Sequence, residues 1–166
     1  MKQNVFLAVC ISILCSLSGI SQEREFTSLE EAMLSPDSVF SLTLRKSHLK
    51  AIPSEIYTLK HLKRLSLSRN NITEISDSIA LLRELHYLDL SSNNVSSLPP
   101  AMATLPIDTL ILWDNPIYAL DTSFAALPLL YLDMRAITQT KKEQDAIISL
   151  FPKAKIRRNR PCNCGR

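Results

Sequence analysis

Apolar residues recur at a nearly constant spacing along most of the chain. Residues 39–127 can be written as four successive rows of similar sequence. Each row contains two apolar residues separated by one residue, and its other apolar residues recur at the same positions in the other rows. Aligning the rows gives one polar column with a period of 23, 23 and 22 residues, occupied by Ser47, Asn70, Asn93 and Asn115. Self-similarity of this length predicts a stack of similar units that bury their apolar faces against each other.

Each row also predicts its own local structure. The alternation of inward apolar and outward residues indicates a short strand with one buried face. Because the units are equal, their strands are expected to run parallel, with the leucines inward and the intervening side chains outward. Pro53 and Pro99 begin a return segment with a fixed φ, after which Ile56 and Met102 bring apolar groups back to the core. A shorter fifth row begins at Leu129.

The asparagine column has a structural interpretation. Asn70, Asn93 and Asn115 lie where the chain turns away from each strand, and a carboxamide can satisfy backbone donors and acceptors that are buried at such a bend. Ser47 and Ile137 take this position in the first and last rows. We therefore expect a structural asparagine ladder that is weaker at both ends.

The rows resemble the units of the leucine-rich repeat family, in the subclass that reads L-x-x-L-x-L-x-x-N-x-L-x-x-L-P-x-x-I-x-x-L, over residues 39–156. The resemblance implies an α/β fold: a solenoid of about five repeats with a parallel β-sheet on its concave face. It also implies that the chain binds another macromolecule through side chains that point outward from the strands. The compact repeats are similar to those of small secreted bacterial members.

Residues 1–21 have the pattern of a secretory signal. A positively charged start is followed by an apolar run over residues 5–17, which is too short for a typical membrane span, and small residues precede Gln22. We therefore expect an exported protein (periplasmic, cell-surface or secreted) that is cleaved before Gln22. A membrane anchor and lipid attachment at Cys10 or Cys15 are the alternatives.

The remaining chain is expected to form one capped domain and a tail. Its predicted segments are an N-terminal cap helix in 22–38, repeats one to four in 39–128, a degenerate fifth repeat with the C-terminal cap in 129–156, and a tail in 157–166. Ser28 is the predicted N-cap of the first helix, with Glu31 three residues later. In the C-terminal cap, apolar spacing predicts a helix over 141–150 and a closing strand over 151–156.

The outward positions change in character along the predicted sheet. The first two strands present mainly basic and hydroxyl side chains, whereas the later strands present aromatic and acidic ones, including the single tryptophan. Exposed aromatics with a charged rim are typical of protein interfaces. We therefore predict a partner-binding surface formed by Tyr87, Asp89, Ile111, Trp113, Tyr131, Asp133 and Arg135. The alternative is that the aromatics only pack sideways on neighbouring strands. The expected partner is a protein, bound by a monomer.

The composition opposes catalytic chemistry. The two glycines, Gly19 and Gly165, lie in the predicted signal and at the terminus, which excludes a glycine-rich phosphate loop, a dinucleotide fingerprint and a nucleophile elbow. His48, His61 and His86 occupy unrelated repeat positions, so no metal site is predicted. We expect no enzymatic activity, no cofactor and no nucleic-acid partner.

The basic tail, residues 157–166, contains Cys162 and Cys164 in a C-x-C motif. Three interpretations stay open: a disulfide within or between chains, two ligands of a soft-metal site completed by another chain, and a thiol pair without a role. The alternative function is therefore redox or metal handling through this tail. Its cations either contact an anionic surface weakly or form a solvated terminus.

Overall fold

The computed structural model describes residues 24–135 and 140–158. Within these residues, seven strands form one parallel sheet in which the strand order follows the sequence. The strands are β1 (Glu25–Phe26), β2 (Ser41–Thr43), β3 (Arg64–Ser66), β4 (Tyr87–Asp89), β5 (Thr109–Ile111), β6 (Tyr131–Asp133) and β7 (Lys155–Arg157). The predicted parallel-sheet solenoid is therefore confirmed.

The register of the sheet follows from the inward leucines. The central residues of five adjacent strands pair with one another and are fully buried: Leu42, Leu65, Leu88, Leu110 and Leu132. A shift of one residue in any strand would move its leucine to the solvent face. The apolar pattern therefore fixes which side chain of each repeat reaches the open face.

The return segments on the opposite side of the sheet are short 3-10 helices. Four of them have five residues each: Ser54–Thr58, Asp77–Leu81, Pro100–Thr104 and Thr122–Ala126. The central apolar residue of each is fully buried: Ile56, Ile79, Met102 and Phe124. Two of these helices follow the extended residues Pro53 and Pro99, and two follow Ser76 and Asp121, whose side chains accept a backbone N–H.

Three buried asparagines, Asn70, Asn93 and Asn115, connect successive repeats. The Asn93 Nδ2 group donates to the carbonyl oxygens of Leu67 at 3.0 Å and Leu90 at 2.9 Å. Its Oδ1 accepts a backbone N–H of the preceding repeat at 3.0 Å. The other two carboxamides bond in the same way. Each side chain thus satisfies backbone groups of two neighbouring repeats.

The residue just before this column adopts a left-handed conformation in every described repeat. The φ angles are 58° at Lys46, 57° at Arg69, 52° at Ser92 and 61° at Asp114. For a residue with a Cβ atom this conformation costs about 1–2 kcal/mol. The asparagine ladder offsets that cost, because it satisfies backbone groups only when the chain makes this bend.

Each end of the repeat region carries an additional helix and strand. Near the N-terminus, helix α1 (Leu29–Met33) begins after Ser28, whose hydroxyl accepts the Glu31 N–H. Strand β1 precedes it, and sequence analysis had predicted only a helix there. Near the C-terminus, helix α2 (Lys141–Leu150) begins with a capping box between Thr140 and Glu143, and β7 closes the sheet. Ile137 lies outside the described residues.

The ladder predicts a large difference between two adjacent asparagines. Asn93→Ala leaves the buried Ile72 N–H unsatisfied and removes one of the two asparagine donors from each of the Leu67 and Leu90 carbonyls, so we expect the free energy of unfolding to fall by about 2 kcal/mol. Asn94 is exposed, and Asn94→Ala should change the free energy of unfolding by less than about 0.5 kcal/mol. Urea unfolding followed by circular dichroism measures both variants. Equal losses for the two variants would contradict the structural role of Asn93.

Candidate partner-binding face

The open face of the sheet carries two rows of outward side chains. Cα pairing places Tyr87, Thr109 and Tyr131 in one row across β4, β5 and β6. The adjacent row contains Asp89, Ile111 and Asp133 on the same strands. Because the side chains alternate along each strand, both rows lie on the face opposite the buried leucines.

Four large side chains of this face form what we call the aromatic patch: Tyr87, Ile111, Trp113 and Tyr131. All four are partly buried, so each packs against neighbours and retains a solvent-facing part. Trp113 lies two residues after the end of β5, and its backbone carbonyl accepts the Ser92 N–H of the preceding repeat at 2.9 Å. Three of these residues therefore lie on adjacent strands, and Trp113 lies just beyond the middle one.

Tyr87 lies at the border between this patch and a basic region. The Arg64 guanidinium stacks on the Tyr87 ring, with its central carbon 4.2 Å from the ring centroid. Burial raises the pKa of the Tyr87 phenol above its ordinary value, and the Asp89 carboxylate raises it further, whereas Arg64 acts in the opposite direction. The three side chains therefore share one local electrostatic environment.

The basic region, which we call the basic end, consists of Arg45, Lys46, Arg64 and Arg69. All four residues are exposed. Arg64 also lines a cavity of about 210 Å³, together with Glu25, Ser41, Leu42, Thr43, Ser66 and Tyr87. The cations that the sequence assigns to the N-terminal part of this face are therefore accessible to solvent.

Both predicted aspartates of the face already have hydrogen-bond partners within the chain. The Asp89 carboxylate accepts bonds from the Ser66 hydroxyl at 3.1 Å and from the Ser91 N–H and hydroxyl at 2.9 and 2.6 Å. Asp133 is only 3% exposed. Its carboxylate binds the Arg135 side chain through both oxygens, with a shortest distance of 2.7 Å.

The predicted exposure of Asp133 is therefore wrong. Three serines at other outward positions of the rows, Ser41, Ser68 and Ser91, are also buried. The physical reason is that side chains in adjacent rows cover one another when one is short or makes an ion pair. Asp133 and Arg135 are two residues apart, so they point to the same side of an extended chain. That spacing was the available sequence signal for their pairing.

The histidines are exposed, but two of them share a neighbour. The His61 Nδ1 atom lies 3.1 Å from a Glu84 carboxylate oxygen, and His86 Nδ1 lies 2.7 Å from the Glu84 backbone oxygen. His61 and Glu84 are 23 residues apart, one repeat period, and that shared register was the missed signal. In residues 24–135 and 140–158, no group of three or more histidine, cysteine or acidic residues is arranged to hold a metal ion.

The C-x-C motif lies outside the described residues, so Cys162 and Cys164 have no structural account here. The same applies to the predicted signal over residues 1–21. Across the described part of the chain, no helix combines the length and apolar character required to span a membrane.

The shared environment of Tyr87 predicts a specific pH dependence. Because its folded pKa is raised, Tyr87 contributes stability that is present below its unfolded pKa of about 10 and is lost as the pH rises through the folded value. Asp89→Asn removes a negative charge and should lower the Tyr87 pKa towards its ordinary value. NMR of ¹³Cζ-labelled tyrosine measures this change.

Tyr57 is the internal control for that titration. Burial alone raises the Tyr57 pKa, so Asp89→Asn should leave it unchanged. An unchanged Tyr87 pKa, or equal shifts at both tyrosines, would contradict the proximity of Asp89 and Tyr87.

Comparisons with known proteins agree with this geometry. A family model described as leucine-rich repeat matches residues 37–95. A leucine-rich repeat protein of Leptospira interrogans is similar in structure, with a TM-score of 0.67 and 25% identity, over 80% of this chain and 34% of that one. No curated protein sequence matches the chain.

Two further solved structures share the fold. TLR13, in a complex with ssRNA13, gives a TM-score of 0.62 and 24% identity over 80% of this chain and 20% of its own. An internalin of Listeria monocytogenes gives a TM-score of 0.54 and 17% identity over 82% of this chain and 41% of its own. This chain thus spans well under half the length of each of these proteins. The repeat period, the parallel sheet and these matches together show that the chain has the fold of a leucine-rich repeat solenoid.

Proposed function

We propose that the chain is a non-enzymatic recognition module that binds a protein partner through the aromatic patch. The observation that carries this proposal is that Tyr87, Ile111 and Tyr131 lie on three adjacent strands, with Trp113 two residues beyond the middle strand, and that each side chain has a solvent-facing part. Aromatic side chains that are partly supported by neighbours supply much of the binding energy at protein interfaces. The leucine-rich repeat fold is commonly used for such recognition.

The scaffold beneath the patch supports the same function. The leucines that lie between its outward residues are fully buried, and the strands that carry them are paired in register. A surface that is already ordered loses little conformational entropy when a partner binds. Packing and pairing beneath the patch therefore favour binding with a small entropic cost.

The carboxylates of the face fit recognition better than catalysis. Asp89 and Asp133 lie on either side of β5, and both already accept bonds from neighbouring side chains. A general acid or base needs a carboxylate that is available to exchange a proton with a substrate. Their hydrogen bonds instead hold neighbouring parts of the face in place.

A protein partner is favoured over the nucleic acid present in the TLR13 complex. Residues 71–135, which include the aromatic patch, contain two Lys or Arg residues and eight Asp or Glu residues. Binding to nucleic acid depends largely on cations that neutralise phosphates. The acidic surroundings of the patch therefore oppose a polyanion at this position.

Trp113→Ala should weaken partner binding by about 30-fold, because the loss of an aromatic anchor at an interface commonly costs 2 kcal/mol or more. A photoreactive amino acid in place of Thr109, inside the patch, would capture the partner in the full chain. The measurement is the yield of one discrete crosslinked protein with and without Trp113→Ala. Thermal unfolding checks that the variant remains folded.

Tyr118→Ala is the matched control, since Tyr118 is an aromatic residue that is 56% exposed and lies outside the patch. It should leave the crosslink yield unchanged. Undiminished capture by a folded Trp113→Ala variant would contradict the assignment of the binding site.

We also propose that the chain is exported and loses residues 1–21. The charged start and the apolar run over 5–17 support this proposal. N-terminal sequencing of protein recovered from its native cells should begin at Gln22. An intact Met1 in protein recovered from outside the cytoplasm would contradict cleavage, and recovery only from the cytoplasm would contradict export.

A further inference from the structure

We propose that the chain binds a segment of its protein partner that is acidic in one part and apolar in another. The acidic residues of this partner segment contact the basic end, and its apolar residues contact the aromatic patch. The inference rests on the proposed function and adds the chemistry of the partner. It also assigns a role to Arg45, Lys46, Arg64 and Arg69 outside the aromatic patch.

Charge is distributed unevenly along the solenoid. Residues 24–70 contain eight Lys or Arg residues and five Asp or Glu residues. Residues 71–135 contain only two Lys or Arg residues but eight Asp or Glu residues. The basic end lies on the open face of the first part, and the exposed Asp114 lies beyond β5 in the second. An acidic segment is therefore attracted to one part of the face and repelled from the other.

The cations of the basic end are available to a partner. Arg45, Lys46, Arg64 and Arg69 form no ion pair with any residue in the described ranges, and all four are exposed. By contrast, Arg24, Arg135 and Arg158 each bind a carboxylate of the chain itself. Cations that the fold leaves unpaired are suited to a carboxylate from outside.

Arg64 also contacts an aromatic ring of the face. Its guanidinium carbon lies over the Tyr87 ring, 4.2 Å from the ring centroid. The N–H groups lie along the edge of the guanidinium, where a carboxylate can bind through two parallel hydrogen bonds. Tyr87 therefore links the basic end to the aromatic patch and limits the entropy that Arg64 would lose on binding.

Intramolecular bonds reduce competition from the chain's own acids. The Glu25 carboxylate accepts the Thr43 hydroxyl at 2.6 Å, and the Asp89 carboxylate accepts bonds from Ser66 and Ser91. Glu25 and Arg64 line the same cavity, and neither Glu25 nor Asp89 forms an ion pair with Arg64. The guanidinium is therefore not paired with either of these carboxylates.

The strand spacing sets the length of the segment. The centre of the basic end lies near β2 and β3 and that of the aromatic patch near β5, so they are separated by two to three strand spacings, or about 10–14 Å. An extended peptide that crosses the strands covers this distance in about four residues. The acidic and apolar residues of the partner segment should therefore lie about four positions apart.

A synthetic peptide tests this inference directly. The probe is a fluorescein-labelled peptide with three glutamates, a single glycine spacer and a leucine–tryptophan–leucine segment, so that the centres of its acidic and apolar segments lie about four residues apart. Two companion peptides replace the glutamates with glutamines or with lysines. Fluorescence anisotropy measures the affinity of each peptide for the full chain at low salt and at about 0.5 M salt, where exposed charges are screened.

Two double variants with the same change in net charge provide the comparison. Arg64→Glu with Arg69→Glu should weaken binding of the glutamate peptide by at least about tenfold at low salt, and this loss should shrink at high salt. The same variant should bind the lysine peptide more tightly than the unmodified chain does. Lys60→Glu with Arg83→Glu alters exposed cations beside the return segments and should change affinity by less than about twofold.

Several outcomes would overturn the inference. These are equal affinities for the glutamate and glutamine peptides, equal losses in the two double variants, and no detectable binding of the glutamate peptide. A single-stranded RNA oligonucleotide that binds the basic end more tightly than the peptide would also overturn it, in favour of a polyanion. Circular dichroism confirms that both variants are folded.

Trp113→Ala separates this inference from the proposed function. If Trp113→Ala abolishes binding of the glutamate and glutamine peptides alike, and the two bind the unmodified chain equally, only the charge inference fails. If Trp113→Ala binds all the peptides as the unmodified chain does, while the photocrosslink at position 109 also persists, the aromatic patch itself is not the binding site.

Discussion

The whole solenoid depends on satisfying the backbone polar groups at one buried bend in each repeat. Asn70, Asn93 and Asn115 meet this requirement, because one carboxamide both donates to carbonyls and accepts an N–H across two neighbouring repeats. The residue before each asparagine adopts a left-handed conformation although none is glycine. Strain in the bend and its hydrogen bonds are therefore coupled, and both recur once per repeat.

That recurrence also creates the open face. A fixed period places one outward side chain from each repeat in the same row, so a surface several strands wide is specified by single residues far apart in the sequence. The contacts Arg64–Tyr87 and Ser66–Asp89 each join residues 23 positions apart, one period of the repeat. Variation at these positions changes the character of the face without altering the leucines that hold the sheet together.

The sequence predicted most of the fold because the apolar period decides which side chains face inward. It placed the leucines of β2 to β6, the N-cap Ser28 and helix α2 where the structure has them. It missed β1, whose two residues are too few to show alternation. It also placed Asp133 outward, since a period records direction and carries no information about which neighbour will cover a side chain.

The same limit explains why the candidate site was only partly predictable. Each outward residue could be listed from the sequence, but the significance of Arg64 depends on its contact with the Tyr87 ring, and that of Asp89 on its bonds to Ser66 and Ser91. These contacts separate charges that the fold already uses from charges that it leaves for a partner. A count of charges along the face would treat Arg135 and Arg64 as equivalent, whereas the structure pairs the first with Asp133 and leaves the second exposed beside the aromatic patch.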